Sequence, residues 1–200
     1  MSTGTFLLLL TFAAALLGSP GPATLSLAAS GAAYGWRRCL PFLSGLITGL
    51  VFNLLAAVVG LVALFSHYPL ARAGFKYTSS AYILYLAWKI AKSDPVKTKA
   101  AQRAPGFIQG VIFNVLNPKA YIAALSIFAQ FTTPRGNPRS EGIVIFFSCM
   151  AVAAVFGFSW LYSGAFLGHI FSTPSSAKRL NLSLALIMVL CVLYTVLSIG

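Results

Sequence analysis

Lys119 is the residue from which any chemistry inside this chain's apolar stretches must start. It closes the sequence Asn114-Val115-Leu116-Asn117-Pro118-Lys119, in the middle of an apolar run from Phe107 to Phe131. A lysine near the bilayer centre costs roughly 2.5–3.5 kcal/mol on insertion scales, and Pro118 removes a backbone donor and clashes with the preceding turn. Asn117 is a good helix N-cap and Pro118 is preset for the first helical position, so the pair reads as the start of a new helix. A helix broken there presents unpaired N–H groups and the positive end of its dipole. With an ammonium beside it, the arrangement suits a carboxylate.

A second break stands near the N-terminus. Gly18-Ser19-Pro20-Gly21-Pro22 interrupts the segment from Gly4 to Ala33, which would be roughly 45 Å long as one helix against ~30 Å of hydrocarbon. Either proline motif alone is explained by a kink, since Pro and Gly are common in membrane helices. Two breaks in corresponding places, one with a lysine, point instead to a binding site. The expected site residues are Pro20, Gly21, Pro22, Asn114, Asn117, Pro118 and Lys119, with the buried-looking amide Asn53 as a further polar contact.

The elements that must position these groups are membrane helices. Of 200 residues 58% are apolar and 8% charged, and the mean hydropathy is +0.87, which leaves too little polar surface to cover a water-soluble globule. The net charge of +12 would suggest nucleic acid in a soluble protein. Here the basic residues flank apolar segments, as the positive-inside rule expects, and no nucleic-acid partner is implied. Cys39, Cys149 and Cys191 are far apart and form no CxxC or Cys/His set, so neither a disulfide framework, a metal site nor a cofactor is expected. No HExxH or GxSxG occurs, and Ser159, Ser163 and His169 lack a third orienting group, so the chain does not read as an enzyme.

In chain order, span 1 covers about Gly4 to Ala33. No charge precedes Arg37, so this segment makes a poor signal peptide and is kept as a span. Span 2 runs from about Leu40 to Phe65 and carries Gly45 and Gly49 as a GxxxG pair, read as helix packing. Span 3, about Pro69 to Ile90, has a short charge-free core from Tyr77 to Trp88, with Arg72, Lys76 and Lys89 snorkelling to the interfaces. Ala91 to Gly106 is a hydrophilic cytoplasmic loop. Span 4 is the broken run Phe107 to Phe131, followed by a loop from Thr132 to Glu141. Span 5 lies within Gly142 to Gly168, whose Gly164 and Gly168 form a second GxxxG pair. A loop from His169 to Arg179 leads to span 6, about Leu180 to Ile199. Loops 1–2, 3–4 and 5–6 hold most of the lysines and arginines (Arg37, Arg38, Lys89, Lys92, Lys97, Lys99, Arg103, Lys178, Arg179), which places both termini outside.

Three spans in each half make the second half an inverted copy of the first. The expected fold is therefore all-α and polytopic, with six transmembrane helices in a 3+3 inverted repeat and helices 1 and 4 broken. One membrane domain fills residues 1–200, with repeat one over 1–90, the loop over 91–106 and repeat two over 107–200.

At these residues the chain resembles the LysE/RhtB family of bacterial amino-acid exporters. The likeness rests on Pro20-Gly21-Pro22 followed by Gly35, Gly45, Gly49 and Gly60, and on Ala81-Tyr82-Ile83-Leu84-Tyr85-Leu86-Ala87-Trp88-Lys89. Its most specific part is Gly110 with Asn114, Leu116-Asn117-Pro118-Lys119-Ala120 and Gln130-Phe131. The resemblance implies ATP-independent export of an amino acid or close derivative across the bacterial cytoplasmic membrane. Substrate and membrane lipid are the expected partners, and a homo-oligomer stays open. Some relatives carry an acidic residue where this chain has Leu50, so the usual kind of coupling carboxylate is missing. Neither Asp94 nor Glu141 lies inside a span, and His67 and His169 read as interface residues. Lys119 is thus the titrating group whose deprotonation would carry a proton. Transport of a metal cation or another small solute, and a non-transporting membrane subunit, are the alternatives. The absent cysteine pair and buried carboxylates weigh against the metal.

Overall fold

The computed structural model describes residues 1–58, 69–92, 103–132, 138–170 and 173–198, and every described element is helical. Helix α1 spans Thr3–Gly18 and α2 spans Pro22–Tyr34. A 3-10 turn, Arg37–Cys39, then leads into α3, Leu40–Val58. Helix α4 is Pro69–Ala91, α5 is Phe107–Val115 and α6 is Pro118–Phe131. Helix α7, Pro138–Ile170, and α8, Pro174–Ser198, complete the chain. Pro22, Pro69, Pro118, Pro138 and Pro174 each stand at the first position of a helix, where the missing N–H has no intrahelical partner to lose. Helix α2 ends at Gly35, whose φ of 82° favours glycine and whose N–H returns to the Gly31 carbonyl at 2.8 Å.

The two breaks expected from the sequence are present. Helices α1 and α2 meet at a 63° bend, and α5 and α6 at 64°. By length and composition two helices cross a membrane, Arg37–Val58 and Arg139–Ile170, and each bent pair brings the candidate spans to four. The chain is an all-α, multi-pass membrane protein. Phe52, Leu55, Phe147, Val155 and Leu186 face outward. Apolar surface costs about 25 cal/mol per Å² in water and nothing comparable in lipid.

Two boundaries differ from the sequence reading. The helix of span 5 starts at Pro138, inside the expected loop, because Pro138 and the acidic Glu141 in the first turn make a good helix start. Likewise α8 begins at Pro174, so Lys178 and Arg179 lie on the helix rather than in the loop. The end of span 2 beyond Val58, His67, most of the loop 91–106 and residues 133–137 lie outside the described residues. So do the side chains of Arg72, Lys76, Tyr82, Lys89 and Cys191.

Packing crosses between the halves of the chain. Helix α3 packs on α5 and α6, whereas α7 packs on α1 and α2; α4 pairs with α8. Glycines allow the closest of these contacts. A Cβ on Gly45 would meet the Phe107 carbonyl, and one on Gly110 the Phe42 carbonyl, so α3 and α5 touch backbone to backbone. Gly164 and Gly168 do the same for α7 against Ala28 and Ala32 of α2. Both GxxxG pairs are therefore packing surfaces, since only small residues let two backbones approach this closely.

Two apolar clusters fill the interior. One gathers Leu25, Phe42, Phe113, Leu161 and Met188. The other gathers Leu9, Leu50, Leu54, Ile127 and Ile145. Neither includes any residue of the two breaks, which leaves the polar groups between them.

Candidate functional site

At the first break the chain is extended through Ser19 and Gly21 before α2 begins. Gly21 is the N-cap and has no side chain to offer. Thr24 takes over part of that role: its Oγ1 accepts the Gly21 N–H at 2.9 Å. The same hydroxyl has one proton, shared between the carbonyls of Gly21 at 3.1 Å and Ser19 at 3.3 Å. The first helical bond runs from Leu25 N–H to the Gly21 carbonyl at 2.9 Å. The N–H groups of Ala23 and Thr24 find no acceptor among the described residues, and both residues line a cavity. A helix whose first N–H groups are unpaired carries its partial positive charge into that space.

The second break is built differently. Asn117 caps α6 itself, its Oδ1 accepting the Lys119 N–H at 3.2 Å and its carbonyl accepting the Ala120 N–H at 3.1 Å. Its Nδ2 donates to Asn114 Oδ1 at 3.4 Å. Asn114 Nδ2 donates to the Leu46 carbonyl of α3 at 2.7 Å, and Asn53 Nδ2 returns a bond to the Asn114 carbonyl at 2.9 Å. These asparagines are all buried, at 0%, 7% and 3% exposure for residues 53, 114 and 117. Asn53 Oδ1 alone has no partner among the described residues. The cluster fastens α3 to the end of α5 by polar bonds in apolar surroundings, where leaving such groups unpaired costs about 1–3 kcal/mol each.

Lys119 joins the two breaks. Its ammonium donates to the Ser19 carbonyl at 2.8 Å, the Ser19 hydroxyl at 2.9 Å and the Pro20 carbonyl at 3.1 Å. A Cβ at Gly21 would lie 2.8 Å from Lys119 Cδ and Nζ, so glycine makes room for the lysine. The cation therefore sits at the C-terminal, electronegative end of α1. Trp160 of α7 completes that end by donating its Nε1–H to the Gly18 carbonyl at 2.9 Å.

Between these groups lies a cavity of about 70 Å³. That holds a few waters and is smaller than the ~300–1,000 Å³ usual for ligand sites. Its polar lining is Thr24, Asn114, Asn117 and Lys119; the rest is apolar, with Leu27, Leu43 and Leu46 among it, and no carboxylate is present.

Of the residues singled out from sequence, Gly21, Asn114, Asn117 and Lys119 come together on the cavity. Asn53 sits behind Asn114, while Pro20, Pro22 and Pro118 shape the backbone. Sequence reasoning missed Ser19, Thr24 and Trp160. Ser19 and Thr24 flank the first proline motif and are the residue types that cap helices, a usable signal. Trp160 lies in a charge-free run and gave none. Gly45 and Gly49 serve packing, and His169 lines a separate cavity with Tyr34, Trp36, Tyr162 and Phe166 at the other end of α2. Among the described residues no group of three His, Cys, Asp or Glu side chains could hold a metal.

Discontinuous membrane helices meeting at a buried polar site define the class of small-solute translocators. The chain belongs to the LysE type translocator family, whose model matches residues 14–198. It is a secondary transporter and not an enzyme. Its relatives include the cysteine/O-acetylserine efflux protein of Klebsiella pneumoniae, 27% identical over 86% of this chain and 87% of that protein. The homoserine/homoserine lactone efflux protein of Salmonella typhimurium is 25% identical over 82% of each chain. The membrane protein YrhP of Bacillus subtilis is 30% identical over 71% of this chain and 74% of its own. No solved structure matches the chain.

Proposed function

We propose that this protein exports amino acids or close derivatives across the bacterial cytoplasmic membrane, seating the substrate carboxylate at the first break. The observation that carries this reading is the meeting of unpaired Ala23 and Thr24 N–H groups with the Lys119 ammonium on one half-open cavity. Backbone donors at a helix N-terminus and a lysine beside them are the groups that a carboxylate needs. The second break contributes the lysine, and its own N–H groups are taken by Asn117. Asn53, Asn114 and Asn117 brace the wall, and the aliphatic remainder takes the side chain. Efflux relatives named for cysteine, O-acetylserine, homoserine and homoserine lactone support an amino acid or a close derivative as substrate.

In this reading α4 and α8 also cross, giving six spans as a 3+3 inverted repeat. Repeat one is residues 1–90 and repeat two 107–200, joined by a cytoplasmic loop over 91–106, with both termini outside. The near-equal bends and the reciprocal packing of α3 on α5–α6 and of α7 on α1–α2 support that arrangement. Rocking of one repeat on the other would open the cavity to each side in turn.

The test is efflux from proteoliposomes loaded with the proteinogenic amino acids plus homoserine and O-acetylserine, read by mass spectrometry under a proton or a sodium gradient. Selective loss of one or a few compounds from wild type, abolished in Lys119→Ala, is the expected result. If well-folded wild type releases none of them, the amino-acid reading is wrong and a different solute or a subunit role takes its place.

A further inference from the structure

The lysine that should meet the substrate is already occupied. An ammonium has three protons to donate, and Lys119 gives them to Ser19 O, Ser19 Oγ and Pro20 O, at 2.8–3.1 Å. Ser19 lies a hundred residues away in sequence, at the end of α1. These acceptors are neutral, and two of them are backbone carbonyls just past the end of α1, whose last residue, Gly18, is also held by Trp160. We propose that Ser19, with Trp160 positioning the end of α1, forms a seat that competes with the substrate for Lys119 and thereby decides which solutes are carried. This rests on the carboxylate reading above.

The competition has a physical sign. The bonds from Lys119 to these neutral acceptors are already charge-assisted; a carboxylate adds the attraction between two full charges, which a dielectric below that of water strengthens. A carboxylate can therefore draw Lys119 off its seat. A neutral carbonyl, as in an ester or lactone, offers no more than Ser19 already gives and cannot. Once Lys119 leaves, the α1 end loses its cation and its contact to α6, so occupancy by a carboxylate shifts the population toward a state in which α1 moves. A ligand shifts such an equilibrium only through its different affinity for the two states. A solute without an anionic group has no such difference to exploit. Trp160, bonded to the Gly18 carbonyl, is the natural reporter of that movement.

The seat also makes an unusual prediction for mutation. Removing a group that touches substrate raises KM; removing a group that competes with substrate lowers it. Ser19→Ala deletes one of the three acceptors and leaves the two carbonyls. KM for the exported acid should fall about three- to tenfold, the size expected for one ordinary net hydrogen bond, since the two carbonyls still hold the ammonium. Ser19→Thr keeps the hydroxyl and should behave as wild type.

The experiment uses the full-length protein in liposomes, loaded in turn with leucine, cysteine, homoserine and O-acetylserine, and with leucine methyl ester, cysteine methyl ester and homoserine lactone. KM and kcat are measured for wild type, Ser19→Ala and Ser19→Thr, and Trp160 emission is followed in a Trp36→Phe/Trp88→Phe background. Export of acids but not of their esters or lactone, a lower KM in Ser19→Ala alone, and an emission change only with acids would sustain the seat. A KM that rises or stays fixed in Ser19→Ala, esters exported as well as acids, or emission unmoved by a saturating exported acid would each overturn it while leaving amino-acid export standing. If none of the acids leaves folded wild type, the seat and the carboxylate reading fall together.

Discussion

The two helix breaks bend the chain by nearly the same angle, 63° and 64°, and solve the same problem in opposite ways. At the second, Asn117 satisfies the new helix from within, and Asn53 and Asn114 tie its surroundings together. At the first, the cap is a glycine, two N–H groups stay open, and the end of the preceding helix is held by residues from other elements, Lys119 and Trp160. A break completed locally is a structural joint. A break completed from afar, with donors to spare, has a place for something else. The difference teaches that two similar proline motifs need not share one role: the second supports the helix that carries the cation, and in the function proposed above the first receives the substrate.

The comparison can be broken at several points. The largest effect should come from Lys119→Ala, which leaves both the carbonyl end of α1 and the incoming carboxylate without their cation. Truncating one partner of a buried charged contact costs 2–5 kcal/mol, so kcat/KM for export should drop by about two orders of magnitude. Asn114→Ala comes next, and on stability rather than on substrate. It leaves Asn117 Nδ2 without its partner and removes the second donor from the Leu46 carbonyl, at about 1–3 kcal/mol, read as a lower Tm in detergent while KM changes less than twofold. If KM rose tenfold with Tm intact, the second break would be a substrate contact and the division of roles would fail. Asn117→Ala should be smallest, about 1 kcal/mol from loss of the α6 cap, and Asn117→Ser should restore most of it. Equal loss in the serine variant would show that the bond to Asn114, not the cap, is what Asn117 supplies.

Much of this was legible in the sequence because the costs are local. A proline, a lysine and two amides within an apolar run mark a break whatever surrounds them, and Asn117-Pro118 marks where the next helix starts. The GxxxG pairs likewise announce close packing, although not their partners: Gly45 meets α5 and Gly164 meets α2. What the sequence hid is long-range. The acceptors of Lys119 sit a hundred residues before it, and nothing in the run around Trp160 marks it as the donor that closes α1. The asymmetry of the breaks was also hidden, since Gly21 and Asn117 differ in capping power only once their neighbours show which N–H groups are already taken. The starts of α7 and α8 fall inside the loops expected from Thr132 to Glu141 and from His169 to Arg179, because Pro138 and Pro174 stand at first helical positions, which a proline in a polar stretch does not reveal.

The reach of Lys119 also bears on how the chain is made. The ribosome completes Gly18, Ser19 and Pro20 well before it reaches Lys119 and Trp160, so during synthesis the Gly18 and Pro20 carbonyls wait for the donors that hold them in the finished fold. Until the second half arrives, those carbonyls must be held by water or by the insertion machinery. The first half is thus finished only by the second: the end of α1 has its full set of partners once the helices carrying Lys119 and Trp160 are in place.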